Sequence, residues 1–458
     1  MNARKGNYAA LMFTVLNYLV ALFFFLGVTS TAIAEGLNKS GESDTTQAPT
    51  WQISRGLDYA NHQYTDVPVY NANGSKAIMT DNKDNFYIST NLEAKPYKLT
   101  FKEKPKAKVE WDSKDPDIIY YISAKKKVTS LHSFNIKAGT DNVIFTTNKF
   151  VSEVAPGHPD GDHLLLYAKD KPNSTLFVFS ISTKKCIEIP VTNTPLHRVR
   201  FTTAPDLSVY INSPVNPKPS YTINVKTGEK KLIYKGQQTS PNWRPGGQEY
   251  CFYGSHNGER MLMVLDKNGN FVKGFKGPTN HLVHWSPDGK YIITDPDMHR
   301  TGMYQGWICM IDYNTGKVRQ VVRHNSEFIY NGKKLSSGQP EPRLSPDGTK
   351  LIYNSNRFGI DHPQVFVSLV HLPDPVTNVK MNKADGMVNI TWNNPPGVEI
   401  HNILVYRIKE RGTSELAGEV TIPNASFIEK YVPGTIGYKI VTEEYSGLKS
   451  KAVELKMD

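Results

Sequence analysis

The sequence predicts an all-β protein: a β-propeller followed by a smaller β-sandwich. A turn phrase recurs along the chain, as in "TSPNWRPGGQEYCFY" from Thr239, "NHLVHWSPDGKYII" from Asn280 and "GQPEPRLSPDGTKLIY" from Gly338. Its spacing is that of propeller blades. Short β-branched and aromatic runs follow each turn, and almost no segment carries the apolar stripe of a helix of about ten residues.

The residue at the tip of each turn marks the repeat. Successive marks are 44, 43, 46, 40, 42 and 59 residues apart. They fall at Gly74, Ile118, Gly161, Leu207, Gly247, Gly289 and Gly348. Glycine allows positive φ at no steric cost, so Asp-Gly turns join antiparallel strands. We therefore predict seven four-stranded blades over residues 50–373, with "PTWQISRG" as the outer strand of the last blade. Because the early repeats lack the Asp-Gly spelling, six or eight blades stay open.

The first 34 residues have the three parts of a secretory signal. Arg4 and Lys5 precede the apolar run "LMFTVLNYLVALFFFLGV", and small residues precede Glu35. An uncleaved anchor is the alternative, because the run is about long enough to span a bilayer. Cleavage would leave a linker over 35–49, no further membrane span, and a secreted or periplasmic protein.

The net charge indicates which partners to expect, and the cysteine count indicates the state of the thiols. The formal net charge of +11 becomes +9 when Arg4 and Lys5 leave with the signal. An excess of lysine favours acidic polysaccharide or a charged envelope protein, although it also suits any soluble surface. The chain lacks a basic helix with interleaved aromatics, so we expect no nucleic acid partner. The cysteines, an odd number, are expected to be buried thiols: Cys186, Cys251 and Cys309.

The last 85 residues, 374–458, follow a proline-marked linker and alternate as short strands. "VNITW" contains Trp392, "ILVYRI" contains Tyr406 and "IGYKIV" contains Tyr438. Alternating strands of this kind predict an immunoglobulin-like β-sandwich with these aromatics in its core. The pattern resembles a fibronectin type III domain, which implies a spacer or adhesion role.

The phrases "WSPDGKYI" and "LSPDGTKLIY" resemble TolB-like and WD40-like propeller repeats. The last two blades, "MIDYNTGKVRQVVRHNSEF" and "GQPEPRLSPDGTKLIYNSNRFG", resemble the end of oligogalacturonate lyases. That resemblance implies a seven-bladed enzyme that cleaves pectin fragments with a divalent metal, typically manganese. It places metal ligands at His281, which matches a family histidine with a one-residue gap, and at Gln339 and Glu341, which stand where the family has two histidines. His324 and, more weakly, His197 also match family histidines.

The family's catalytic histidine is not kept, because Ser240 stands in its place. Gln339, Glu341 and His281 could still hold manganese or calcium. Since Gln339 precedes Glu341 by two residues, both side chains would point to one face of a strand.

In a propeller the first strand of each blade lines the central channel, so the residues before each turn should converge there. They are Glu153, His197, Arg200, Asn242, His281, His284, Gln339, Glu341 and Arg343. A long loop, "DPDMHRTGMYQGW", adds Tyr304. One hypothesis is a non-catalytic module that binds a carbohydrate or an envelope partner. The other is a lyase on uronic-acid glycans, in which Arg200 or a metal neutralises the carboxylate and His197, His284 or Tyr304 takes the proton.

Overall fold

The computed structural model describes residues 48–62, 68–169, 173–215, 218–236, 238–277, 280–296, 306–324, 326, 329–330, 333–334, 339–356, 362–410 and 412–457. The described residues from Trp51 onward belong to one compact unit. The expected signal and nearly all of the linker fall outside the described residues. Among the described residues every regular element is a β-strand. None of these residues belongs to a helix long and apolar enough to cross a membrane.

Between Thr50 and Leu369 the described residues form seven four-stranded sheets, which follow one another in chain order. The first three contain β2 (Asn61–His62), β3 (Ala77–Thr80), β4 (Phe86–Ser89) and β5 (Tyr97–Lys98); β6 (Glu110–Trp111), β7 (Ile118–Lys125), β8 (Val128–Asn135) and β9 (Thr140–Thr147); and β10 (Val151–Ala155), β11 (His163–Ala168), β12 (Ser174–Ser180) and β13 (Cys186–Val191). The next three contain β14 (Arg198–Phe201), β15 (Ser208–Asn212), β16 (Pro219–Asn224) and β17 (Lys230–Lys235); β18 (Thr239–Trp243), β19 (Glu249–His256), β20 (Glu259–Asp266) and β21 (Phe271–Phe275); and β22 (Asn280–Trp285), β23 (Tyr291–Pro296), β24 (Trp307–Asp312) and β25 (Val318–Arg323).

The seventh sheet joins the two ends of this region. A small hairpin of β26 (Ile329–Tyr330) and β27 (Lys333–Lys334) precedes it. Its strand order is β1 (Thr50–Gln52), β30 (Gln364–Leu369), β29 (Lys350–Ser355), β28 (Arg343–Leu344). Gln52 Nε2 donates to Gln364 Oε1 at 3.1 Å, and the Ile53 N–H donates to the Val365 carbonyl at 3.0 Å. The segment "PTWQISRG" therefore supplies the outer strand of the last sheet, as the sequence predicts.

The cores lie between neighbouring sheets. Leu165 and Tyr167 of β11 share one cluster with Val209 and Ile211 of β15, all of them buried. Each sheet is apolar on both faces because each is packed between two others. First strands of adjacent sheets also touch, as β10 does with β14 and β18 with β22. This arrangement places the first strands at the inside of the ring.

The residues at the tips of the repeated turns have the expected positive φ, with one exception. Positive φ occurs at Gly74, Gly161, Leu207, Gly247, Gly289 and Gly348. Ile118 instead begins β7, so the second repeat has no glycine-like tip. At Gly247 a Cβ would lie 2.1 Å from the Ala204 nitrogen, so this turn packs backbone to backbone on the preceding one.

The C-terminal segment forms two sheets. One contains β31 (Thr377–Ala384), β32 (Met387–Asn393) and β35 (Ser426–Lys430); the other contains β34 (Ser414–Thr421), β33 (Ile400–Lys409), β36 (Thr435–Glu444) and β37 (Val453–Lys456). Trp392 and Tyr438 are buried in the core between them, whereas Tyr406 is half-buried. The likeness to fibronectin type III and the boundary at residue 374 stay predictions.

The three thiols are free. Cys251 and Cys309 are buried, as predicted, whereas Cys186 at the start of β13 is only half-buried. Burial raises the pKa of Cys186 and of Cys309 to about 12, so neither thiol is a nucleophile at neutral pH.

Candidate functional site

Five first strands carry a polar residue at the same register position. Glu110 pairs with Tyr120, Arg200 with Tyr210, Asn242 with Cys251, His284 with Ile293 and Arg343 with Ile352. In each strand an apolar residue follows and packs into the core: Trp111, Phe201, Trp243, Trp285 and Leu344. We call the five polar residues the register layer.

Three members of the register layer are almost completely buried: Glu110 is 2% exposed, His284 3% and Arg200 6%. Ionised groups are expensive to bury unless they are paired or used. The register layer therefore holds ionisable groups in positions where burial is costly. Asn242 has a structural bond, since its Oδ1 accepts the Trp285 N–H at 3.1 Å and links two sheets.

Glu110 is an acid in an unusual setting. Burial raises its pKa well above the ordinary value, and the Gly157 N–H and the charge of Arg343 oppose this only in part. The Gly157 N–H lies 3.4 Å from Oε1, while Oε2 accepts no hydrogen bond from the described part of the chain. Arg343 belongs to the seventh sheet and Glu110 to the second. The charge of Arg343 therefore affects the pKa of Glu110 although one sheet stands between theirs in the order of the ring.

The predicted catalytic residues are distributed unevenly. Arg200 and His284 belong to the register layer, while His197 is exposed just before β14 and its N–H donates to the Asn212 carbonyl at 2.9 Å. Tyr304 lies outside the described residues. Glu153, also expected at the channel, accepts a hydrogen bond from the Tyr167 hydroxyl.

The segment before β28 differs from the expected strand. Residues 339–342 are not in a strand, and Glu341 has a φ of 48°, in the left-handed region. A residue followed by proline normally takes an extended conformation, so Pro342 makes this backbone more strained still. The alternation that should put Gln339 and Glu341 on one face of a strand therefore does not apply.

Buried polar contacts hold this segment. The Glu341 N–H lies 3.4 Å from Asp295 Oδ2, and Asp295 Oδ1 accepts the Leu282 N–H at 3.0 Å. Asn354 Nδ2 donates to the Gln339 carbonyl at 3.3 Å. Glu341, 5% exposed, is thus kept in a strained conformation by residues of two sheets.

The three predicted metal ligands are described to different extents. His281 lies in β22, but its side chain is outside the described residues; Gln339 is half-buried and Glu341 buried. His324 is also buried, and its Nδ1 accepts the Ser326 N–H at 3.0 Å. In the described ranges, two groups of three His or carboxylate side chains have ligand atoms within 4.8 Å of one another, and Glu341 belongs to neither.

Sequence reasoning missed Glu110 and Asp295. Glu110 precedes Trp111 just as Asn242 precedes Trp243 and His284 precedes Trp285. Aligning the repeats on that aromatic residue, and not on the Asp-Gly tip, finds Glu110. No local pattern points to Asp295, which acts on another sheet.

No protein-family model matches the chain, and no curated protein does. Among solved structures it is similar to an oligogalacturonate lyase in complex with manganese, with a TM-score of 0.57 and 16% identity over 72% of this chain and 94% of that one. An oligogalacturonate lyase from Vibrio parahaemolyticus gives 0.59 and 15% over 72% and 95%. A TolB from Agrobacterium tumefaciens gives 0.34 and 16% over 68% and 100%. From the two lyases we conclude that the chain contains a β-propeller with their fold.

Proposed function

We propose that the protein is an exported seven-bladed β-propeller that binds an acidic glycan at its axial channel. The observation that carries the proposal is the register layer, which brings two guanidinium groups, an imidazole, an amide and a carboxyl to one level of the first strands. Polar residues in such costly positions are characteristic of binding sites.

The chemistry of the layer matches a uronic acid. Arg200 and Arg343 can each bind a carboxylate through paired hydrogen bonds. Glu110, whose pKa is raised by burial, can stay protonated and donate a hydrogen bond to a sugar hydroxyl. The net charge of +11 attracts a polyanion from a distance.

Calorimetric titration with oligogalacturonate, with a neutral glucan as the comparison, tests this proposal. We expect binding of the acidic oligomer alone, and a loss of at least about tenfold for Arg200→Ala or Arg343→Ala, since one charge-assisted contact contributes about 1.5–3 kcal/mol. Arg260→Ala, on the exposed outer part of β20, is the matched control. Equal binding of neutral and acidic oligomers, or an equal loss with the control, would contradict it. If this protein captures an envelope protein and binds no glycan, its partner is a protein and the glycan proposal is wrong.

A uronic-acid lyase is the second candidate, favoured by Arg200 and His284 in one layer of a lyase-like fold. In that reaction a base removes the proton on the carbon that bears the carboxylate. The glycosidic oxygen on the next carbon then leaves with the bonding electrons and takes up a proton. Arg200 would neutralise the carboxylate, and His284, His197 or Tyr304 would take the proton. Absorbance of the unsaturated product in the same titration samples distinguishes lyase from binding module.

A bound manganese or calcium ion is part of this proposal. The donor set of Gln339, Glu341 and His281 is chemically suitable for either ion. The burial and strained backbone of Glu341 fit a carboxylate that is held for a ligand. When bound, such an ion would neutralise a substrate carboxylate.

Export and the fibronectin type III-like spacer complete the proposal. The signal pattern before Glu35 supports a secreted or periplasmic location. Amino-terminal sequencing of natively produced protein should begin at or near Glu35, and retention of Met1 would contradict export by cleavage.

A further inference from the structure

A second cluster of possible ligands lies in the turn "HPDGDH" between β10 and β11. Asp160 Oδ2 lies 3.0 Å from His158 Nδ1 and 2.7 Å from His163 Nδ1. One carboxylate oxygen is thus shared by two imidazole nitrogens. The turn is tight, because the Gly161 N–H donates to the His158 carbonyl at 3.0 Å.

The opposite nitrogen of His158 faces an acceptor, since His158 Nε2 lies 3.0 Å from the Ala204 carbonyl. His163 Nε2 lies 3.8 Å from Asp162 Oδ2, which is beyond hydrogen-bond distance. Metal-binding histidines almost always have a partner behind the ring, since it fixes the tautomer and turns the other nitrogen toward the ion. His158 has this partner, and the Nδ1 atoms of both rings lie against the same Asp160 oxygen.

The short distance between His158 Nδ1 and Asp160 Oδ2 calls for a cation between them, either a proton or a metal ion. When the Nε2 proton of His158 bonds to Ala204, a neutral ring presents the Nδ1 lone pair to Asp160 Oδ2. The Asp160 N–H, 3.2 Å from His158 Nδ1, donates to that nitrogen, but the lone pairs of His158 Nδ1 and Asp160 Oδ2 still face each other.

We propose that His158, Asp160 and His163 bind a divalent transition-metal ion of the Zn²⁺ type. Two imidazoles and one carboxylate are a common three-ligand set for zinc, with a water in the remaining position. At bond lengths of about 2.1 Å, ligand atoms about 3 Å apart can share one ion. His158 is 4% exposed and anchors the site on the Ala204 turn of the next sheet, while the Asp160 side is open to solvent. The ion would tie the third sheet to the fourth.

Titration of the full mature chain with Zn²⁺ alone tests the site, followed by Co²⁺ and its visible absorption. We expect one equivalent of Zn²⁺ at this site and a cobalt spectrum typical of nitrogen and oxygen ligands. His163→Ala should weaken Zn²⁺ binding at least about tenfold, because even the loss of a residue that only orients a ligand weakens metal binding by about that factor. Asp160→Asn, which keeps one oxygen acceptor for the turn, should weaken it as well.

His371→Ala, an exposed histidine near the end of the propeller, is the matched control and should leave binding unchanged. The double variant His281→Ala with Glu341→Ala should also keep this equivalent, which separates it from the axial metal. The proposal is overturned if the parent binds no Zn²⁺. It is also overturned if His163→Ala binds like the parent or if the axial double variant loses the same equivalent. Circular dichroism of each variant excludes loss of fold as the cause.

Discussion

Lys350 and Glu399 form an ion pair in which each side chain is only 1% exposed. Lys350 begins β29 of the last propeller sheet, and Glu399 lies just before β33 of the C-terminal segment. Glu444 at the end of β36 is a second, equally buried partner of the same ammonium group. Glu399 also lies where a Cβ on Gly74 would be, beside the turn of the first sheet. One carboxylate therefore contacts the first and the last sheets of the ring.

Replacing Lys350 by methionine should strongly destabilise the protein. Two carboxyl groups would stay buried without the ammonium group that pairs with them, and breaking a buried pair from one side costs about 3–5 kcal/mol. Urea denaturation measures the free energy of unfolding. Lys290→Met is the control, since Lys290 pairs with Asp288 in the open. Similar midpoints for the two variants would contradict the role of Lys350.

Stability should fall as the pH rises from about 5 to 8. Burial raises the pKa of Glu399 to about 8, against the opposing charge of Lys350. The folded chain thus keeps a proton that the unfolded chain has lost above its ordinary carboxyl pKa, so the contribution is complete at low pH and is lost through pH 8. The slope from one such proton is at most about 1.4 kcal/mol per pH unit. Asp347, whose pKa is lowered, acts below this window.

Urea midpoints at several pH values check this dependence. Glu399→Gln should make the profile less steep, although Glu110 and Glu444, whose pKa values burial also raises, still contribute to it. Glu415→Gln, at an exposed carboxylate, should leave the profile unchanged. A flat profile in the parent would contradict the proton on Glu399.

Glycine at position 341 should stabilise the fold and impair the axial site. Glu341 has a left-handed φ of 48°, a conformation that costs a residue with a Cβ about 1–3 kcal/mol. Part of that gain is lost to the greater freedom of glycine in the unfolded chain, so we expect a net gain of about 1 kcal/mol. Glu341→Gln, which keeps the strain and removes the charge, separates the two effects by thermal melting. If Glu341→Gly and Glu341→Gln have the same melting temperature, relief of backbone strain does not explain the stabilisation.

A divalent ion at the axial site should raise the melting temperature. Ligands that bind only the native state stabilise it by about 2.7 kcal/mol at a hundred times their Kd. Manganese and calcium should therefore shift the melting curve of the parent, and the double variant His281→Ala with Glu341→Ala should lose that shift while staying folded. Metal analysis and melting curves that are both blank would contradict the axial metal.

The turn chemistry predicted the all-β class and the outer strand near Trp51, because hairpin spacing and glycine tips are local properties. The predicted strand was wrong at Glu341. A buried contact of its N–H with Asp295 holds a backbone conformation that the following proline disfavours. No pattern in the sequence predicted that Glu399 and Glu444 are buried. Glutamate is usually a surface residue, and only the packing of both side chains against Lys350 buries them.

The seam of the ring has a consequence for how the chain is made. Gln52 meets Gln364 across 312 residues, and the buried carboxylates beside the seam come later still. During synthesis the amino-terminal strand stays unpaired until nearly all of the rest of the propeller has been made. Ring closure over so long a segment is slow, since its entropy must be lost before any contact forms. The half-made chain is thus exposed to proteases and to edge-to-edge association, and a chaperone that shields β1 would matter most in that interval.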